Sequence, residues 1–281
     1  MSWHGQLDLQ YTRDGSRTIA LDRHNGPLRV LQRLYPEGDA ICHHVLVHPP
    51  GGIVGGDVLA LNANLAPDTH ALITTPGATR FYKSAGDMAE QLVHATVADG
   101  ARLEWLPLES LAYPGCKATN RMRFDLAPQA QMMGWDIVAL GLPAADQAFD
   151  APTAAHGLFT QEIDLPGVWL EKGTVTAQDK LLLDSPLGWA GKRVMATMWF
   201  ASGQAIDRAM ANQLLDTARQ TQSNSHLAAT AGSTQVHDRV IVVRALADRV
   251  EPAMSLLTQI WAQWRTLAWG VSPCPPRVWR T

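Results

Sequence analysis

Across residues 1–200 short strand-like runs follow one another with no intervening helical stretch, and this succession limits the folds open to the chain. Gln91 to Ala98, Arg102 to Trp105, Met132 to Ala139, Trp169 to Ala177 and Lys192 to Phe200 alternate in character and are punctuated by Gly, Pro and Asp at roughly ten-residue spacing. A doubly wound α/β fold needs a helix of about 10–15 residues between strands, so that class is excluded. The pattern predicts a mainly β protein with a multi-stranded antiparallel or mixed sheet, sandwich-like or solenoid-like in architecture. Two helices are predicted in the C-terminal third. Ile206, Ala209, Met210, Leu214 and Ala218 recur at three- and four-residue steps over 205–221, as do Met254, Leu257, Trp261, Trp264 and Leu267 over 252–268. Pro252 is preset for a first helical turn. The polar stretch 220–235 is expected to be a mobile loop, followed by a strand over Val236 to Ala245. No internal repeat and no domain boundary is visible, so residues 1–281 are read as one domain, within the size range of all-β domains.

Charge narrows the function. Lys plus Arg number 23 against 26 Asp plus Glu, a net charge of −3, which gives no bulk attraction for nucleic acid or anionic lipid. Three widely spaced cysteines, at 42, 116 and 274, fit a reducing compartment better than a disulfide framework. With no signal-like N-terminus and no apolar run of about 18 residues, the expected setting is the cytoplasm. Charged residues are only 17% of the chain, and ten Trp exceed four Tyr plus five Phe. Trp anchors interfaces as readily as cores, so partner surfaces are expected.

The densest motif is His48-Pro49-Pro50-Gly51-Gly52-Ile53-Val54-Gly55-Gly56-Asp57. Its prolines fix the chain's entry, and its four glycines call for positive φ or close backbone approach, as in a specified turn between strands or a loop shown to a partner. A phosphate cradle would need Lys and Ser or Thr after the last Gly, where this chain has Asp57. Just upstream, Cys42, His44 and His48 fall on one face of a strand and His43 on the other. His44 and His48 are about 13 Å apart along an extended strand, too far to chelate one ion. Ordinary hydrogen-bonded histidines are the expected outcome.

Asp57, Asp136, Glu171, Glu104 and Glu109 all sit in apolar settings. Singly, each is expected to face solvent. If several face inward, each must be paired, protonated or wetted, because a bare buried charge costs several kcal/mol. A wet passage lined by oxygen atoms resolves that conflict and would hold a divalent cation weakly. No GxSxG or HExxH pattern occurs, and Cys116 has only Lys117 beside it. The rival reading, a small-molecule enzyme with residues 48–57 over its active site, therefore lacks a nucleophile and an acid–base pair. The Pro-rich end, with Arg277 and Trp279, reads as a tail that docks on its own domain or on a partner. Trp261, Trp264, Arg277 and Trp279 are the partner-binding candidates.

These motifs, in order, resemble the urease accessory protein UreD (UreH) family. The resemblance is carried by Gly26-Pro27-Leu28-Arg29-Val30, Tyr35-Pro36-Glu37, the 48–57 segment and Thr74-Thr75-Pro76-Gly77-Ala78-Thr79-Arg80-Phe81-Tyr82-Lys83-Ser84. It continues through Leu103 to Glu109, Trp135-Asp136-Ile137, Trp169-Leu170-Glu171 and Ser185 to Gly191 to Pro276-Arg277-Val278-Trp279. Residues 141–147 depart from the family pattern, which commonly carries an Arg and then a Gly-Glu pair there. The resemblance implies a mainly β fold with two helices and a non-enzymatic chaperone that works with UreF and the GTPase UreG to insert nickel into the urease apoprotein. A homodimer within that complex is compatible with it. It implies no tightly bound cofactor and only transient nickel, moving through a water-filled tunnel near Asp57, Asp136 and Glu171. On their residue types alone, His44 and His48 join that candidate path.

Overall fold

The computed structural model describes residues 2–142, 145, 147–152 and 156–280. Among the described residues eighteen strands build two sheets. The seven-stranded sheet holds β1 (His4–Asp14), β2 (Arg17–Asn25), β5 (Val58–Leu65), β8 (Ala89–Val97), β11 (Lys117–Leu126), β14 (Leu158–Leu165) and β15 (Trp169–Thr176), in the order β15-β14-β11-β8-β5-β1-β2. The eleven-stranded sheet holds β3 (Arg29–Leu34), β4 (Ile41–Val47), β6 (His70–Thr74), β9 (Arg102–Trp105), β12 (Gln131–Leu142), β16 (Val194–Ser202), β17 (Ala231–His237) and β18 (Val240–Ala247), ordered β17-β18-β16-β12-β9-β6-β4-β3. Short β7 (Thr79–Phe81), β10 (Ser110–Ala112) and β13 (Gln147–Ala148) attach to its side.

The chain alternates between the sheets. From β4 onward it crosses to β5, returns to β6, crosses to β8, returns to β9, crosses to β11 and returns to β12. Neighbours within each stack, β4-β6-β9-β12 and β5-β8-β11-β14, therefore pair in parallel. Parallel strands need a long crossover, and here each crossover is a strand of the opposite sheet instead of a helix. That is the solenoid-like form of the expected mainly β architecture. The repeat lies in the geometry and not in the residues, which is why no sequence repeat is detectable.

Alternation along each strand divides the side chains between two layers. Even-numbered Met132, Val138 and Leu140 of β12 join the cores between the sheets, while Met133, Trp135, Ile137 and Ala139 face two helices packed outside the larger sheet. A short helix α1 (Lys180–Asp184), capped by Asp179, precedes these; α2 is Arg208–Ser223 and α3 is Val250–Trp269. Pro252 falls inside the first turn of α3, where its missing N–H costs nothing.

Several details differ from expectation. The polar stretch 220–235 is not a loop: α2 continues to Ser223, and residues from Ala231 form β17, an outer strand that tolerates polar residues because only one flank is paired. The strand expected at 236–245 is β18, shifted to Val240–Ala247. On α3 the buried stripe takes in Arg265 and leaves Leu267 exposed, and on α2 Ala209 is exposed. Among the described residues no helix is long and apolar enough to cross a membrane.

Candidate functional site: a polar layer between the sheets

Three neighbouring strands of the smaller sheet place amides side by side on its inner face, with Gln91 of β8 paired to Asn120 of β11 and Asn120 to Gln161 of β14. The facing sheet places Asp136 of β12, Thr197 of β16 and Arg244 of β18 in one register row. Asp136 bridges the gap. Its carboxylate accepts hydrogen bonds from Asn120 Nδ2 at 3.3 and 3.4 Å and from Gln161 Nε2, while Asn120 Oδ1 accepts from Gln91 Nε2 at 3.1 Å. Burial raises the Asp136 carboxyl to about 6 against the pull of those two amides, and the charge of Glu171 adds to the rise.

Two residues along the larger sheet, and so on the same face, His44, Ile73, Trp105, Gly134 and Trp199 are successive pairing partners. Gly134 is required there because a Cβ would overlap the Trp199 indole. His44 Nε2, Trp105 Nε1, Trp199 Nε1 and Thr197 Oγ1 are buried without a hydrogen-bond partner in the chain. Four such atoms on the inner face mark a polar interior that water or a passing solute would satisfy.

A cavity flanks each end of this layer. One of about 230 Å³ is lined by His48, Gly51, Gly52, Arg80, Gln91 and Trp105 among others. The second, about 420 Å³, is lined by Gln161, Trp169, Glu171, Gly173, Trp189 and Arg244 among others. Gln91 and Gln161 thus face separate cavities while joined through Asn120 and Asp136.

The 48–57 segment carries the chain from β4 in one sheet to β5 in the other. Gly51 and Gly56 adopt φ of +79° and +92°, whereas a Cβ on Gly52 would overlap the Tyr82 ring and one on Gly55 the Ser84 hydroxyl. Both reasons anticipated for the glycines apply, two residues each. Asp57 is 3% exposed and accepts backbone N–H bonds from Trp3 at 2.7 Å and Val54 at 3.0 Å, so both its oxygens fasten the loop and the N-terminus. The solvent-facing expectation fails for Asp57, Asp136 and Glu104, all buried. Glu171 is partly exposed and paired with Arg244. Glu109 is half-buried, its carboxyl raised chiefly by burial. His44 Nδ1 meets Tyr11 Oη at 2.7 Å, and burial lowers this imidazole to about 4; His48, half-buried beside the first cavity, is also lowered by burial. Among the described residues no group of three or more His, Cys, Asp or Glu is placed to hold a metal ion.

Sequence reasoning missed a second buried polar cluster, on the helix side of the larger sheet. Arg265 of α3, fully buried, donates to both oxygens of Glu37 at 2.6 and 2.7 Å, to Glu104 at 3.2 Å and to the Ser272 carbonyl at 2.6 Å. Glu104 also meets His70 Nε2 at 2.7 Å and accepts Trp261 Nε1–H at 2.6 Å, and His43 Nε2 meets Glu37 at 2.6 Å. Burial alone would raise both carboxyls, but these donors outweigh it and hold Glu37 and Glu104 below the usual carboxylate range. The available signal was Arg265 directly after Trp264 and four residues beyond Trp261 on an otherwise apolar stripe.

The tryptophan expectation needs correction. Trp261 and Trp264 are fully buried, their indole N–H groups used by Glu104 and the Leu214 carbonyl, so neither has the exposure a partner anchor requires. Trp279 docks on its own domain. Its Nε1 donates to Thr74 Oγ1 at 2.8 Å, and its ring lies 5.2 Å from Trp135 and 5.6 Å from Trp261. Arg277 is exposed. In the stretch departing from the family pattern, Pro143, Ala144 and Asp146 lie outside the described residues.

The family model described as UreD urease accessory protein matches residues 4–280. The urease accessory protein UreD of Leptothrix cholodnii is 58% identical over 283 residues, covering 100% of both chains. Those of Polaromonas sp. and Paracidovorax citrulli are 54% and 53% identical over 279 residues, covering 99% of each chain. The polar layer between two stacked mixed sheets thus lies in a chain matched along nearly its whole length: the chain belongs to the UreD urease accessory protein family.

Proposed function

We propose that this chain serves urease maturation as a cytoplasmic, non-catalytic chaperone that carries nickel to the urease apoprotein through the polar layer between its sheets. In this reading UreF and the GTPase UreG join it in a complex on the apoprotein, and GTP hydrolysis drives delivery. The observation that supports it most is the Gln91–Asn120–Asp136–Gln161 chain linking two cavities. Its ligands are hard oxygens and amides, too few and too spread for a cage, and a cation that must be released is better served by weak successive sites than by a closed His/Cys shell. Asp136 and Glu171 are the transit carboxylates. Asp57 serves the loop that walls the first cavity, His48 stands at that cavity's edge, and His44 offers one unpaired nitrogen beside the layer.

The test is GTP-dependent urease activation in a reconstituted mixture containing Asp136→Ala, Glu171→Ala chain. Activation falls while UreF and urease still co-purify with the variant; unchanged activation, or lost binding, overturns the reading. Turnover of a small molecule by the isolated chain would favour the enzyme reading instead.

A further inference from the structure

We propose that Arg244 is a latch on this passage, holding Glu171 until a divalent cation displaces it; the inference rests on the transit reading above. Glu171 stands on β15, the outer strand of the smaller sheet, and Arg244 on β18 of the larger one. Their ion pair joins residues 73 apart in sequence and closes the gap between the sheets at the 420 Å³ cavity that both line. Behind them Gln161 lines the same cavity and bonds Asp136. A cation moving between Asp136 and the cavity mouth therefore meets a guanidinium already seated on the carboxylate it needs.

The two arginines that pair with glutamates in these polar clusters contrast in burial. Arg265 is fully buried on two glutamates, whereas the Arg244 and Glu171 side chains are 45% and 21% exposed. An ion pair that open to solvent is screened and opens at little cost, and the freed guanidinium can turn out into water. Arg244 cannot leave by losing its proton, so what keeps Glu171 open once the pair has parted is a competing cation on the carboxylate. A monovalent ion brings the carboxylate no more charge than the guanidinium does, while a divalent ion brings twice as much and finds Asp136 as its next oxygen ligand. The exchange selects divalent over monovalent ions and removes the guanidinium from the mouth only when cargo is present.

Three variants of the full-length chain, each purified with its partners and assayed for initial rate of urease activation at limiting nickel, separate the possibilities. Gly173 lines the cavity, and a Cβ there would meet nothing within 4 Å, so Gly173→Trp plugs the space without moving backbone. Gly173→Trp and Glu171→Gln should each lower the rate about tenfold. Arg244→Gln should raise it roughly threefold and make it newly sensitive to added sodium chloride, since the repelling charge is gone. If Arg244→Gln and Glu171→Gln fall together, the pair is a structural clasp and the latch is refuted while a blocked Gly173→Trp keeps the passage. An Arg244→Gln rate equal to the original also refutes the latch. If Gly173→Trp, still folded and still bound to urease, activates normally, the passage reading fails and the latch with it.

Discussion

Replacing Arg265 with methionine removes the one permanent cation that, among the described residues, is ion-paired with Glu37 and Glu104, while filling most of its volume. Both glutamates are then left in a site that Arg265 closes with four nitrogen–oxygen contacts of 2.6 to 3.2 Å. Breaking a buried pair from one side costs about 3–5 kcal/mol, since the partner charge stays behind without water. At roughly 2–4 °C per kcal/mol for a chain of this size, the melting temperature should fall by roughly 6–20 °C. Arg265→Lys should recover little, because one ammonium cannot reproduce a fork shared by two carboxylates and a carbonyl. Adding Glu37→Gln and Glu104→Gln to Arg265→Met should restore part of the loss by removing the stranded charges. Circular dichroism melts and urea titrations of the four proteins give the numbers. A loss below about 1 kcal/mol, the worth of a surface pair, would refute the claim that this cluster fastens α3 to the sheet.

Three further changes follow from the site. Asp136→Asn should stabilise the fold above pH 7 by up to about 3 kcal/mol, from a carboxyl raised by about two pK units at 1.36 kcal/mol each. The sign follows from the raised value: the cost of ionised Asp136 is full above its folded pKa of about 6, is relieved as pH falls through that value, and is gone below about 3.8, so the difference between the two proteins should vanish there in melts run across pH. Gly134→Ala should cost about 1–3 kcal/mol by pushing the Trp199 indole from its seat, read in a urea titration as a lower midpoint. Asp57→Ala strands two backbone donors and should cost about 2 kcal/mol, with faster amide exchange at Trp3 and Val54.

What the residues revealed follows the range over which each signal acts. Strand alternation is local, and the edges of β9 and the start of β15 stand where the pattern places them, at Arg102–Trp105 and Trp169. The glycines of 48–57 were legible because backbone conformation leaves its mark on the residue itself. Amides at 91, 120 and 161 carry no mark of adjacency, since a full turn of chain separates each from the next and only the parallel stacking brings them into one row. Asp136 could be singled out as a charge in an apolar run, but its partners could not. The same limit explains Trp261 and Trp264: an amphipathic stripe states which helix face is apolar and leaves open whether sheet or partner covers it. Arg265 was hidden for the opposite reason, a charged residue whose compensation lies in β9 and in the turn holding Glu37, both far back in the chain.

The central claim is that nickel crosses the layer between the sheets, and nickel delivered to urease measures this more directly than activity. Apo-urease incubated with the complete accessory set, GTP and nickel, then stripped of the accessory proteins and weighed for bound nickel by mass spectrometry, should take up about tenfold less metal in a fixed time when this chain carries Asp136→Leu. Urease and UreF must remain bound to the variant, and its fold must hold. Equal nickel in the two ureases would place the path elsewhere and leave the polar layer a feature of the fold.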